Sequence, residues 1–367
     1  MSIRVPLVLN VLCVPFLLST SPPWAAADAP NQVPVIYCTD LFHPHDDPDD
    51  HFDIATLYAI REIAIKAIIL DQGGKQEQRP GRIPIEQLNR VTGRNVPWAM
   101  GLAGKLGHPD DKRLDEPEQY QGGVLLMIKT LEEAREPVTI IAVGSMRDLA
   151  AAFNRNPDLL KGKVARVYAF IGDAQGAFQE YNVGLDPNAF ACVMNSGLPV
   201  YWVPCFDGGL WRNEGHASFW QAPHAELLAD ASQPVFNFFV YALLRKSDAD
   251  HIGFLSGDVA DTERGEVMTG IRNLWCTAVF THVSGRRFVS RGGAWIAVPE
   301  LDLRDDDTVT EVFRFAPVSM RIDSEGNVLY GVDPQARTVQ RFEVADMDRY
   351  PAVMTSVTRQ LIGELGK

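Results

Sequence analysis

The chain of 367 residues carries a formal net charge of −13, with 46% hydrophobic and 22% charged residues. That length and apolar content suffice for one large α/β domain or two modest ones. The acidic balance, with no basic cluster, argues against nucleic acid or an anionic membrane surface as partner.

Residues 1–27 read as a secretory signal peptide: Arg4 is its positive end, residues 5–18 its apolar stretch, and Ala25-Ala26-Ala27 its small-residue cleavage site. Leu12, before Cys13, is too large for a lipoprotein cleavage site, so no membrane anchor is expected. The mature chain, residues 28–367, is expected to be exported, periplasmic or secreted, and no later stretch is long and apolar enough to span a bilayer. Of the cysteines, Cys38, Cys192, Cys205 and Cys276 remain after cleavage. Their apolar neighbours suit buried thiols at least as readily as disulfides, and no Cys/His spacing suits structural zinc.

Residues 33–60, VPVIYCTDLFHPHDDPDDHFDIATLYAI, organise the rest. An apolar β-type run ends in Thr39-Asp40, a loop carries Asp46, Asp47, Asp49 and Asp50, and a helical pattern follows through Ile54, Leu57 and Tyr58. Carboxylates at the carboxyl end of a strand, just before a helix, stand where an open α/β sheet keeps its site. Crowded carboxylates need protons or a cation, and oxygen-only donors suit Ca²⁺ or Mg²⁺ better than Zn²⁺.

Further strands are expected at residues 65–70, 97–100, 138–143, 164–171 and 200–204, with helices at 122–134, 146–154 and 189–195. The run VTIIAV at 138–143 is the pattern of a strand buried on both faces. Strands that alternate with helices predict an open, mostly parallel Rossmann-like sheet flanked by helices. Residues 210–290 read as mainly helical. Short strands are expected at 295–298, 318–322 and 328–331, the last two forming a small C-terminal hairpin, with a closing helix from about residue 350 to 365. Without a repeat or linker, residues 28–367 read as a single domain.

The order of motifs resembles the inosine/uridine-preferring nucleoside hydrolases over most of the mature chain. VIYCTDLFHPHDDPDDHFDIATLYAI is similar to that family's opening strand, Asp-x-Asp-Pro-Gly-x-Asp-Asp loop and helix, with an insertion. TIIAVGSMRDLAAAFNRNPDLL resembles its strand, Gly turn and Asn-Leu-Ala helix. QEYNVGLDPNAFACVMNSGLPVYWV matches most specifically, through Glu180, Asn182, Asp186-Pro187, Ala189, Ser196-Gly197 and Pro199.

The resemblance implies a tightly bound Ca²⁺ and hydrolysis of the N-glycosidic bond of a ribonucleoside. Carried over, Asp40 is a metal ligand and the base that activates water. Asp50 ligates the metal, Val143 supplies a carbonyl ligand, and Asp49 binds a sugar hydroxyl. Glu180 and Asn182 hold the sugar, and Asp71 or Gln72 occupies the position of a sugar-binding Asn. By residue type alone, Trp275, Trp202, Trp211 and Trp220 are candidates to stack on a base, with buried core as the default for aromatics in apolar runs. The family commonly forms homo-oligomers, so a homo-oligomer is an expected partner beside a small nucleoside or sugar-containing substrate.

Two departures are visible. The insertion lengthens the interval between Asp40 and Asp49-Asp50, leaving Asp46, Asp47 and Asp53 as rival ligands. Near the carboxyl third, RNLWCTAVFTHV places Leu274 and Trp275 where the family has a metal-ligating Asp; the inserted loop, Asp207 and Asp258 are candidate replacements. His216, His224, His251 and His282 are candidate leaving-group acids, and His43, His45 and His51 flank the acidic loop. Three functions stay open: a calcium-dependent nucleoside hydrolase, a hydrolase of the same fold acting on another sugar-containing substrate, and a catalytically degenerate sugar- or nucleoside-binding protein.

Overall fold

A computed structural model describes residues 32–323, 325–332 and 339–367. The leader expected over residues 1–27 lies outside the described residues. No helix among the described residues is long and apolar enough to cross a membrane.

The strands are β1 (Val33–Thr39), β2 (Ile63–Leu70), β3 (Trp98–Met100), β4 (Val138–Ala142), β5 (Val164–Phe170), β6 (Val200–Val203), β7 (Trp220–Pro223), β8 (Ile271–Leu274), β9 (Arg287–Arg291), β10 (Ala294–Val298), β11 (Thr308–Val309), β12 (Phe313–Ile322), β13 (Val328–Val332) and β14 (Val339–Val344). The helices used below are α1 (Asp49–Ala59), α2 (Gly73–Gln76), α3 (Arg82–Thr92), α4 (Gly122–Glu133), α5 (Arg147–Arg155), α6 (Pro157–Lys163), α7 (Tyr181–Leu185), α8 (Pro187–Asn195), α9 (His224–Leu227), α10 (Gln233–Leu243), α11 (Asp261–Met268), α12 (Thr277–Val283) and α13 (Tyr350–Glu364).

Nine strands form one sheet in the order β13-β12-β14-β6-β5-β4-β1-β2-β3. Every pairing from β14 to β3 is parallel, while β12 pairs antiparallel with both β14 and β13. Strand order reverses at β1, whose neighbours are β2 on one side and β4 on the other. Such a reversal opens a crevice beyond the carboxyl ends of the strands.

Alternation along β1 divides its side chains between two apolar layers. Val35 and Tyr37 join the layer with α1, α10 and α13, while Ile36 and Cys38 join the layer with α4, α5 and α8. A strand covered on both faces reads as a continuous apolar run, which is what VTIIA in β4 shows. Each fully buried aliphatic side chain contributes roughly 1.5–3 kcal/mol. A charged residue at Ile36 or Ile140 would forfeit that and bury an unpaired charge.

One expectation needs correction. Residues 210–290 are not mainly helical: β7 pairs with β8, and β9 with β10 and β11. Strands of four residues are too short to display a period of two against the apolar background of α10 and α12. The expected C-terminal hairpin forms from β12 and β13, and it joins the main sheet through β14, a strand not expected from the sequence. Its sequence VQRFEV puts Arg341 in the sheet interior, where Glu343 pairs with it at 2.8 Å. The four described cysteines are free thiols, all buried.

Candidate active site

The crevice at the strand reversal holds a cavity of about 500 Å³. Asp40 follows β1, Val143 follows β4, Phe170 ends β5 and Cys205 follows β6, so four neighbouring parallel strands deliver its floor. Asp49 and Asp50 enter from the first turn of α1, where the helix dipole favours negative charge. Asp53, one turn on, is buried and also lines the cavity.

These carboxyls repel one another in a place that water does not fully reach. Burial and then Asp71 push Asp40 up to about 7. Burial and the neighbouring acids Asp47, Asp53 and Asp40 push Asp49 well above the carboxylate range, and burial with Asp40, Asp49 and Asp53 does the same to Asp50. Asp53 is likewise pushed up to about 7 by burial, while a hydrogen bond from the Cys276 thiol opposes that rise. Thr39 Oγ1 donates to Asp50 Oδ1 at 2.9 Å, fixing that side chain. The outer acids have their own cations: Lys75 and Arg79 hold Asp46, and Arg272 holds Asp47 at 2.7 Å.

Four inner carboxyls without such partners, beside a backbone carbonyl at Val143, are a donor set of oxygen atoms only. That chemistry fits a hard divalent cation such as Ca²⁺. The side chains are not drawn into a cage, for among the described residues no group of three or more His, Cys, Asp or Glu is placed to hold a metal. Val143 O accepts Asn182 Nδ2 at 3.1 Å.

Glu180 N-caps α7: its carboxylate accepts Gly172 N at 2.9 Å, Asn182 N at 3.0 Å and Val183 N at 3.4 Å. Asn182 Nδ2 also donates to Phe170 O at 3.2 Å, which leaves its Oδ1 as the acceptor on the cavity side. Asp40, Asp49, Asp50, Val143, Glu180, Asn182 and Trp275 thus share one wall.

Asp71 and Gln72 do not. Asp71 turns to the far side, where it accepts Ser145 N at 2.7 Å, Ser145 Oγ at 2.8 Å and Gln72 N at 2.8 Å, with Arg147 Nε at 3.5 Å. It stands close behind Asp40 because Gly144 is there: a Cβ on Gly144 would meet Asp71 Oδ2 at 2.7 Å and Asp40 Cβ at 3.4 Å. Gln72 starts α2 in a left-handed conformation, φ 58°.

The other end of the cavity is aromatic. Trp275 is oriented by a hydrogen bond from Nε1 to Cys205 O at 2.8 Å, and its ring lies 5.9 Å from Phe206 and 6.4 Å from Trp211. Leu210 and Trp211 come from the loop after β6 and are about half exposed. Asp173 shapes that loop: its Oδ1 accepts Gly208 N at 3.0 Å and Gly209 N at 3.1 Å. With φ of 86° and 121°, those positions are left to glycine. The sequence placed the Gly208-Gly209 pair at a strand end and Trp211 among the tryptophans that could stack on a base, but gave no sign of Leu210.

Among the described residues no histidine is on the wall. His216 Nδ1 meets Asp207 at 3.0 Å, His224 Nδ1 meets Val267 O at 2.8 Å, His251 Nε2 meets Glu86 at 2.8 Å, and His282 packs among Tyr201, Phe313 and Phe315. His43, His45 and His51 cluster behind the acidic loop, with ring centroids about 6 Å apart. Asp207, buried beneath His216 and Gln175, and Asp258 are off the wall as well.

A parallel sheet with an acidic crevice at its reversal point and an aromatic rim defines an α/β protein with a small-molecule site. The family model described as inosine-uridine preferring nucleoside hydrolase matches residues 43–244, more than half of the chain, and the chain belongs to that family. A pyrimidine-specific ribonucleoside hydrolase from Citrobacter koseri is 31% identical over 189 residues, which is 46% of this chain and 58% of that protein. The corresponding hydrolase of Escherichia coli O1:K1 is 31% identical over 173 residues, 41% of this chain and 55% of its own length. The matched segment therefore spans little more than half of these curated relatives.

Among solved structures, a purine-preferring ribonucleoside hydrolase from Gardnerella vaginalis superposes over 90% of this chain and 99% of its own, with TM-score 0.55 and 14% identity. An inosine-uridine preferring nucleoside hydrolase from Bacillus anthracis covers 91% and 100%, with TM-score 0.51 and 13% identity. At such identities the likeness is one of fold.

Proposed function

We propose that this protein is an exported, calcium-dependent hydrolase that cleaves the N-glycosidic bond of a ribonucleoside. The observation that carries the reading is the division of one cavity into an acidic end at the strand termini and an aromatic end at Trp211 and Trp275. A ribose with its water suits the first and a planar base the second.

Asp40 and Asp50, with the Val143 carbonyl, would hold the cation, which when bound lowers the pKa of a water ligand. Asp40 takes the proton from the attacking water. A positioned base of this kind is worth roughly 10²–10⁴-fold in rate. Asp49 and the Oδ1 of Asn182 accept hydrogen bonds from sugar hydroxyls, and Glu180 holds Asn182 in place through the turn it caps. Together these oxygens stabilise the positive charge that develops on the sugar as the bond breaks.

The test is release of reducing sugar from a panel of purine and pyrimidine ribonucleosides, with Ca²⁺ and with EDTA. Release that depends on Ca²⁺ is expected. No release from any nucleoside in the presence of Ca²⁺ overturns the reading.

A further inference from the structure

Resting on that reading, we propose that Asp53 is a further ligand of the cation, supplying from α1 the acid that Leu274 and Trp275 do not supply ahead of α12, and that the Cys276 thiol positions it. A Ca²⁺ ion takes roughly six to eight oxygen ligands. Asp40, Asp50 and the Val143 carbonyl fall short of that even with both carboxylates bidentate, so further donors must come from water or from this wall.

The other acids named as replacements are committed elsewhere. Lys75 and Arg79 hold Asp46, and Arg272 holds Asp47. Asp207 and Asp258 are off the wall. Asp53 is on it, 3% exposed, and its spacing of three from Asp50 and four from Asp49 puts all three acids on one side of α1.

Asp53 is also the acid tied to α12. Its hydrogen-bond partner is the thiol of Cys276, the N-cap of that helix. No cation acts on Asp53; the other groups that reach it, Asp47, Asp49 and Asp50, are acids. A thiol is a weak donor. It can orient a carboxylate without neutralising it, which leaves the oxygens for a harder partner.

A second observation points to the same spot. Tyr37, one strand position before Cys38 on β1, is fully buried, and its hydroxyl has no hydrogen-bond partner. The titratable groups around that hydroxyl are Asp53, Cys276 and Asp50. A buried donor left unmade costs about 1–3 kcal/mol. A carboxylate turned to a cation, or a water bound to one, gives Tyr37 the acceptor it lacks.

The test reads binding rather than turnover, on the full chain stripped of metal with EDTA. Calorimetry gives the Ca²⁺ affinity, and Tb³⁺ in its place reports the number of coordinated waters through its luminescence lifetimes in H₂O and D₂O. Asp53→Ala and the bulkier Asp53→Leu leave no oxygen at the position. Each is expected to weaken Ca²⁺ binding at least ~10-fold and to admit at least about one more water. Asp47→Ala removes an equal charge from the same wall and is expected to leave the water count unchanged. Cys276→Ala is expected to weaken binding about 10-fold with the water count unchanged, the pattern of a positioning residue; unchanged affinity would remove it from that role. Unchanged affinity in both Asp53 variants, or weaker binding with the original water count, overturns the assignment of Asp53 and leaves the hydrolase reading standing. No Ca²⁺ binding by the unsubstituted protein overturns both.

Discussion

Glu180 accepts three backbone N–H groups with its two oxygens, from Gly172, Asn182 and Val183. An amide in its place presents a donor to at least one of them. A buried N–H left without an acceptor costs about 1–3 kcal/mol. Glu180→Gln is therefore expected to lower unfolding free energy by that amount in urea and to reduce activity through Asn182. An unchanged urea midpoint would show that the carboxylate is not committed to the backbone. Asp50 differs, since Thr39 occupies one oxygen and the neighbouring carboxyls crowd the rest. Asp50→Ala relieves repulsion among the inner acids, so it is expected to stabilise the calcium-free protein while abolishing Ca²⁺ binding by calorimetry. Retained affinity would remove Asp50 from the ligand set.

At the scale of elements, the loop from Cys205 to the start of β7 carries the aromatic end, and one carboxylate arranges it. Asp173 accepts Gly208 N and Gly209 N on one oxygen, and Gln175 N and Ala177 N at 3.1 and 2.8 Å on the other. Asp173→Ala leaves all four N–H groups without their acceptor; limited proteolysis is expected to cut residues 207–216 faster, and KM to rise more than kcat falls. Identical digestion and KM would mean that the loop holds its shape without Asp173. That dependence also explains what the sequence concealed. β1, β4, β5 and α8 were legible because each is an apolar run or a capped motif of its own. Asp40, Asp49 and Asp50 were legible as carboxylates at a strand end and a helix start, and Glu180 and Asn182 through the family resemblance; all five line the cavity. Trp211 was legible only as one of four tryptophans that could stack on a base, since its position depends on an acid 35 residues before Gly208. β14 was not legible, since Arg341 and Glu343 obscure a strand whose partners are the remote β6 and the first half of β12, which the expected strand at 318–322 left out.

At the scale of the whole molecule, the buried acids make stability a function of pH and of calcium. Asp40, Asp53 and Asp148 are each raised from 3.8 to about 7, and Asp49 and Asp50 well above 3.8, burial being the largest cause for all five. Between about pH 4 and pH 7 the folded chain therefore holds protons that the unfolded chain has released, and unfolding becomes easier as pH rises. Below pH 4 both states are protonated and the effect vanishes. In EDTA, Tm is expected to fall steadily from pH 4 to pH 7 and to keep falling above it as Asp49 and Asp50 ionise. Calcium binds the ionised set and must displace its protons, so the Tm increment from added Ca²⁺ is expected to be larger at pH 8 than at pH 5. Asp148 separates the two effects. It is buried off the cavity, where it accepts Leu102 N at 3.1 Å. Asp148→Asn is expected to raise stability in EDTA at pH 8 by up to about 4 kcal/mol, to be near neutral at pH 4, and to leave the calcium increment intact. A Tm in EDTA that is flat or rising across pH 4–7 would show that these carboxyls are already ionised in the folded chain, and would remove the cost that a bound cation is expected to offset.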